Sequence, residues 1–479
     1  MRWRRAFHAF LATAMLALLL SGCARPVVAV DPALVSDKAH AWLKSQLRFT
    51  GLVDSQQDFR DVCYTYDQAV ATIALLARHD TPNARKILDA MKQLQAPDGA
   101  WYTAYSCKSL QIQETQQHVG PVMWIAMAAA YYEQQTGDTT SYRDMARQAS
   151  VWALQFQQPD GGINGGVGYD GRPTTWASTE HNLDAYAALT WFGYPDAAAK
   201  VKAFLDNVVW DATNQRWYAG RNDSRDPLDV NTWGVSALGA TGSRDYRRAL
   251  DYSLAHHRTT QSSSAVLSTT SVDGFDFDSN RDDVWLEGTG EMALALKVAG
   301  RTAEANAFIA EIIKTQDAGG GVPYALKGTD NGFFSMPSAN AVSSTGWLIF
   351  AIHGVNPFQP QMRLPATTAV LPVGHPALAL DLQQVVTAGL LFFALAFGAA
   401  VVLLGVQHIA GRRAGPWIFP LLVGASAGAA LLLWLPTHFG LGIAVPVTLN
   451  VIALVAAARL LRNFTLAGRS VITSHALFM

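Results

Sequence analysis

The sequence predicts an all-α fold: a closed (α/α)6 toroid of six helical hairpins, followed by a C-terminal segment of three transmembrane helices. Three observations predict it. Six apolar, small-residue-rich helical stretches begin near Tyr64, His118, Ser178, Asp229, Val284 and Ser343, recurring about every 50–60 residues, a spacing typical of supersecondary repeats. A second, amphipathic helix precedes each one, over Ser36–Arg48, Pro82–Gln95, Tyr142–Gln157, Pro195–Trp210, Ser243–His256 and Thr302–Gln316. Helices apolar all round belong inside, and helices with a polar stripe belong outside. The connections are also unequal. Inner-to-outer turns such as Arg78–Thr81 are short, whereas outer-to-inner loops such as APDGAWYTAYSCKSLQIQET are long and rich in Gly, Asp, Tyr and Trp. Six units close a ring in known folds, with an open helical solenoid as the alternative.

Each segment follows in order. Residues 1–23 read as a lipoprotein-type signal peptide. MRWRR is basic, Ala9–Leu20 is apolar, and Leu20-Ser21-Gly22-Cys23 places a cysteine for lipidation after small residues. An uncleaved signal anchor is the alternative. Residues 31–358 hold the toroid and 359–380 a Pro-rich linker. Within 381–465, the runs Val385–Val406, Trp417–Leu435 and Gly440–Ala458 each have about the length of a membrane-spanning helix. Arg412 and Arg413 lie in the first loop, and Arg459, Arg462 and Arg469 in or beside the tail of 466–479. The positive-inside rule makes these parts cytoplasmic. The expected location is the bacterial inner membrane, with the large domain in the periplasm. In that oxidising compartment Cys63 and Cys107 are candidates for a disulfide.

Composition limits the function. Half the residues are hydrophobic, 15% are charged and the formal net charge is −1, which gives no basis for nucleic-acid binding. Three outer helices end in one pattern: Gln95-x-x-x-Gly99-x-Trp101, Gln157-x-x-x-Gly161-x-Ile163 and Gln316-x-x-x-Gly320-x-Val322. Glycine there permits a left-handed cap, and the apolar residue folds back on the ring, so the pattern reads as structural.

The long loops and inner-helix N-termini share one end, where function is expected. Candidate catalytic carboxylates at that end are Glu180, Glu287, Asp67 and Asp229. Candidate substrate-binding residues are Tyr66, Trp101, Tyr102, His118, Trp124, Trp176, His181, Trp233, Asp283, Trp285 and Trp347. Aromatic faces stack on sugar C–H faces and carboxylates bond hydroxyls, so an acidic, aromatic cup suits a glycan. Glycoside hydrolysis needs two carboxyl groups flanking the scissile bond. Glu291, one turn deeper than Glu287, is expected to line the bore or to form a buried hydrogen bond. No cofactor is required by this chemistry. The loop Asp276–Asp282 spaces oxygens as a calcium loop does, but Arg281 stands where the sharp turn wants glycine. His181 and His118 leave proton transfer at a sugar carbon open.

The six-hairpin pattern over about residues 36–358 resembles the six-hairpin glycosidase superfamily, an (α/α)6 toroid. That resemblance implies a carbohydrate-active enzyme with its catalytic carboxylates at this end, by position Glu180, Glu287, Asp67 and Asp229. Sugar epimerases and some polysaccharide lyases share the architecture. The Gln-x-x-x-Gly-x-Trp segment is also similar to the repeat of triterpene cyclases, but Asp276-Phe-Asp278-Ser279 lacks the final aspartate of their acid motif. The expected function is a membrane-anchored periplasmic glycoside hydrolase. The alternatives are a glycan-binding or scaffold subunit of inner-membrane polysaccharide machinery, or an epimerase or lyase.

Overall fold

The computed structural model describes residues 27–57, 61–265, 268–330 and 335–374. The expected signal peptide with Cys23, the three apolar runs and the expected cytoplasmic tail lie outside the described residues. Among the described residues no helix is long and apolar enough to cross a membrane.

Twelve helices occur among the described residues: α1 (Pro32–Gln46), α2 (Thr65–Ala77), α3 (Thr81–Leu94), α4 (Val119–Thr136), α5 (Arg143–Leu154), α6 (Thr179–Phe192), α7 (Pro195–Asn207), α8 (Leu228–Leu238), α9 (Arg247–His256), α10 (Leu286–Val298), α11 (Thr302–Ile313) and α12 (Val342–His353). The even-numbered helices form the inner ring. Each packs on the next, and α12 returns to α2. The ring is therefore closed rather than an open solenoid. Each inner helix packs on the outer helix that follows it across a short turn, and α12 takes α1 as its partner. The inner helices are buried along nearly their whole length, whereas α3 buries one stripe, including Ala84, Ile87, Leu88 and Met91.

The Gln–Gly pattern is the seam of the outer ring. The side-chain amides of Gln95, Gln157 and Gln316 each donate both to the carbonyl of their own glycine and to the next outer helix, at Met145 O, Ala197 O and Val35 O over 2.9–3.1 Å. Gly161 has φ +91°, and a Cβ there would lie 2.2 Å from Lys200 O. Only glycine permits both the conformation and the approach.

A second device ties the loops to the inner ring. The fourth residue of five inner helices accepts a backbone N–H from the preceding connection: Val53 to Gln68, Ile163 to Asn182, Trp217 to Asn231, Phe275 to Thr289 and Val322 to Thr345, over 2.7–3.1 Å. These buried side chains satisfy backbone amides of the connecting segments that would otherwise be buried without an acceptor.

Two features differ from expectation. An antiparallel hairpin, Arg258–Ala265 with Ser268–Phe275, occupies the connection before α10. Residues 359–374 of the expected linker are packed on the ring. Gln359 donates to Ala237 O at 2.9 Å, Thr367 N–H to Ile352 O at 2.7 Å, and Leu371–Gly374 pairs antiparallel with Val27–Val30. The buried Lys297 ammonium holds this strap, donating to Ala351 O, Pro365 O and Thr367 Oγ1 at 2.5–2.9 Å. A cation against the last carbonyls of α12 is favoured by the helix dipole. Cys63 and Cys107 form a disulfide, with Cα atoms 5.3 Å apart. It joins the start of α2 to the loop before α4.

Candidate active site

Inner-helix registration builds the site. The second residues of α2, α4, α6, α8, α10 and α12 are Tyr66, Gly120, Glu180, Asp229, Glu287 and Ser343. The sixth residues are Val70, Trp124, Asp184, Trp233, Glu291 and Trp347. Four residues correspond to about 6 Å of rise, so these form an upper and a lower layer of the bore. Ser178 caps α6 by accepting the His181 N–H at 3.1 Å, which fixes where Glu180 leaves the helix.

Glu180, Asp229 and Glu287 sit on three consecutive inner helices and feel one another's charge. Burial, then the charges of Asp229 and Glu287, pushes the Glu180 carboxyl well above its ordinary range. Glu180 nevertheless keeps some accessible surface, so it is desolvated by surrounding protein while remaining reachable from the mouth. Burial raises Asp229 to about 7, although the Val230 N–H donates to its Oδ1 at 2.7 Å. Glu287 is raised to about 7 by burial, against hydrogen bonds from Tyr66, Ser343 and Tyr324 that favour its ionised form. The Tyr66 hydroxyl lies 2.5 Å from Glu287 Oε1 and accepts from Trp347 Nε1 at 2.9 Å. Asp67 is lifted by burial to about 8, opposed by a hydrogen bond from Ser55 and assisted by the charge of Glu287.

Two further carboxyls lie one turn down. Asp184 and Glu291 are fully buried, and burial holds both far above the usual carboxylate range. The Thr232 hydroxyl donates to Glu291 Oε2 at 3.0 Å. The Trp124 indole N–H is turned toward Asp184 and slightly favours its charge, without closing a hydrogen bond of normal geometry. Among the described residues none of these six carboxyls has an Arg or Lys ion-pair partner.

The structure separates the aromatic candidates. Trp124, Trp233 and Trp347 come from alternate inner helices and meet across the bore, with ring centroids 5.3–6.1 Å apart. They form its floor rather than an open wall. Trp101 is not in the bore. It is 1% exposed, and its indole N–H donates to Met91 O at 2.6 Å within the ring wall. Trp285, which precedes α10, packs on Phe277 and against Gly288. Tyr102 packs on Tyr105. Trp176 is 43% exposed and stands beside His118 and His181, with centroids 5.6 and 5.4 Å away. His181 is driven to about 3 by burial and by His118, and is wedged against Gly120. Asp283 accepts the Lys327 and Gly328 N–H groups at 2.8 Å and anchors that loop.

The calcium-like loop uses its oxygens internally. Asp276 accepts from Phe277 and Asp282 N–H, Asp278 from Asn280 N–H, and Asn280 from Asp282 N–H, at 2.7–2.9 Å. Among the described residues no group of three His, Cys, Asp or Glu is placed to hold a metal ion. Sequence reasoning missed Tyr324 and Ser55. Both reach the carboxylates from connecting segments, and no periodicity marks them.

No protein-family model matches the sequence, and no curated protein is significantly similar to it. Solved structures do match the fold. A wild-type glycosidase aligns with TM-score 0.52 and 10% identity, covering 67% of this chain and 96% of its own. A glycosidase variant in complex with glucose aligns with TM-score 0.51 and 10% identity, covering 68% and 96%. A D-mannose isomerase aligns with TM-score 0.50 and 9% identity, covering 67% and 95%. At such identities the likeness concerns architecture: this chain has the (α/α)6 toroid fold of the six-hairpin enzymes. Hydrolases and an isomerase share that fold, so activity must be argued from the site.

Proposed function

We propose that the protein is a glycoside hydrolase in which Glu180 is the general acid and Glu287 the base or nucleophile. One observation carries the reading. The two glutamates occupy the same helical position on either side of Asp229, both raised by burial but with different partners. Glu180 is desolvated beside two other carboxyls, which favours its protonated form. Glu287 is held by Tyr66, Ser343 and Tyr324, which favours its carboxylate. Divergent environments of this kind assign acid and base roles. Glu180 would give its proton to the glycosidic oxygen as the C–O bond breaks. Glu287 would attack the anomeric carbon or take a proton from the attacking water. Asp229 and Asp67 complete the rim and would orient the hydroxyl groups of the sugar.

Five buried carboxyls and the part-exposed Glu180, with no cation paired to them among the described residues, are costly to bring together, which argues against a merely structural cluster. A glycan-binding scaffold has no need of them. His181 packs on Gly120, His118 and Trp176, and no carboxylate contributes to its electrostatics, which favours hydrolysis over histidine-mediated proton transfer. The signal-like and span-like segments at the two ends support anchorage in an inner membrane, with the toroid on the periplasmic side and within reach of polysaccharide machinery. Reporter fusions after residue 374 test that placement.

The activity test is a polysaccharide panel with product analysis on the full chain, followed by Glu180→Gln and Glu287→Gln. Each substitution is expected to lower kcat by about 10²–10⁴-fold. Full activity in both variants on the cleaved substrate sinks the assignment.

A further inference from the structure

We infer that the outer flank of the ring carries a binding site for acidic polysaccharide, in a groove between α1 and α3 away from the bore. The class of ligand rests on the carbohydrate-active reading; the site rests on residues that reading does not use.

The repeat supplies an internal control. Four outer helices are followed by the same turn: Arg48–Gly51, Ala96–Gly99, Gln158–Gly161 and Asp317–Gly320. In each, the glycine N–H donates to the carbonyl of the first residue over 2.9–3.1 Å. Each glycine has φ of +91° to +99°, and a Cβ there would lie 2.1–2.7 Å from a carbonyl of the next outer helix. The turn after α1 departs from the other three at two side chains. Leu47 stands where Gln95, Gln157 and Gln316 bridge their seams, so the amide tie to the next helix is missing between α1 and α3. Phe49 stands where the other turns place Pro97, Pro159 and Ala318. Its ring is 89% exposed. A lone exposed phenylalanine needs no explanation, but Phe49 and Leu47 both line an open groove of about 650 Å³ between the two helices. That volume lies within the range of ligand sites.

Charge and shape choose the occupant. Lys44 lines the groove from α1 and Lys86 from α3. The Lys86 ammonium donates to the neutral Asn83 Oδ1 at 3.0 Å. Lys44 lies 4.0 Å from Asp80, whose carboxylate already holds His40 and Asn83. Arg48 is neutralised by Asp54, and the groove carboxylate Asp89 accepts the Tyr142 hydroxyl at 2.7 Å. Two ammonium groups are thus placed to meet an anion. The walls are helices, so an extended peptide finds no strand edge to pair with, and the mostly polar lining offers an amphipathic helix no apolar seat. An acidic sugar chain fits both features. Its C–H faces stack on Phe49, and its acidic substituents meet Lys44 and Lys86. A polymer long enough to reach both sites would meet the bore at raised effective concentration.

The test is calorimetry of the full chain, as parent and as Glu287→Gln to slow cleavage, with polygalacturonate, alginate and hyaluronan. Neutral dextran and poly-glutamate are the controls. At least one acidic polysaccharide is expected to bind, with both controls at least about tenfold weaker. Phe49→Ala, which installs the residue found at Ala318, should weaken binding about tenfold, and so should Lys44→Gln combined with Lys86→Gln. These side chains lie outside the core, so melting temperatures should match the parent. Three results overturn the site: no acidic polysaccharide binds, binding is unchanged in the groove variants, or poly-glutamate binds equally well. Hydrolysis is read separately on the polysaccharide panel. Its absence beside groove binding discards the hydrolase and keeps the groove, and cleavage without groove binding does the reverse.

Discussion

At the second residue of α6, α8 and α10 the inner ring carries Glu180, Asp229 and Glu287. At the same residue of α12, α2 and α4 it carries Ser343, Tyr66 and Gly120. The backbone, the dipole direction and the loop anchors are nearly alike in both halves. Every helix N-terminus favours an anion, so the dipole alone cannot explain why a carboxylate occupies this position in only one half. The second half supplies what the first lacks. Tyr66 and Ser343 donate toward Glu287, and Gly120 leaves space that the His181 ring fills. Symmetry thus builds the scaffold, and its breaking at one position per helix creates groups of differing proton affinity.

The comparison breaks most sharply at Glu180. Glu180→Gln is expected to cost about 10²–10⁴-fold in kcat, whereas Ser343→Ala, at the equivalent position, costs about tenfold or less because Tyr66 and Tyr324 still hold Glu287. Steady-state rates on one substrate check the contrast. Equal losses would mean that the halves are not functionally distinct.

Tyr66→Phe sharpens it next. The lost hydrogen bond to a charged acceptor is worth about 1.5–3 kcal/mol. Without it Glu287 rises above about 7, so the acid limb of the rate profile moves to higher pH. A profile that drops in height without moving would show that Tyr66 acts on substrate rather than on Glu287.

Gly120→Ala probes the space. A Cβ there would lie 2.2 Å from His181 Cδ2, in a well-packed region, and overpacking of this kind costs about 1–3 kcal/mol. Thermal unfolding should register it, and Gly120→Ala combined with His181→Ala should recover part of the loss.

Much of the fold was legible because burial and periodicity are local signals. All twelve helices fall where apolar and amphipathic stretches were read, and the Gln–Gly seam is structural as read, although its left-handed glycines sit in the turns after the outer helices rather than as their caps. The strap was read as linker because Pro and small residues mark loops whether or not a surface lies beneath them. Two of its partners, Val27–Val30 and the end of α8, are distant in sequence. The site was legible only by position. Glu180, Asp229, Glu287 and Asp67 are visible at helix starts, but Tyr66 and Glu287 meet across 221 residues. The Gln-x-x-x-Gly-x-Trp pattern marks Trp101 as folded back on the ring, but nothing local marks Trp233 as part of a floor.

The smallest effect expected lies in stability, at Asp67. Its carboxyl is raised from 3.8 to about 8 in the folded ring, chiefly by burial. An unfolded chain ionises near pH 4, so between about pH 4 and 8 the folded state binds the extra proton. Stability from this group is fully present below the unfolded value and is lost as pH rises through the folded one. Asp67→Asn cannot ionise and keeps an acceptor for Ser55. Its melting temperature should therefore fall less steeply from pH 5 to 8 than that of the parent, by a few degrees at most for a domain of this size. The slope should not vanish, because Asp229 and Glu287, both near 7, still titrate in the acidic half of the ring. Parallel melting curves for variant and parent would place Asp67 outside the coupled cluster and confine the charge asymmetry to α6, α8 and α10.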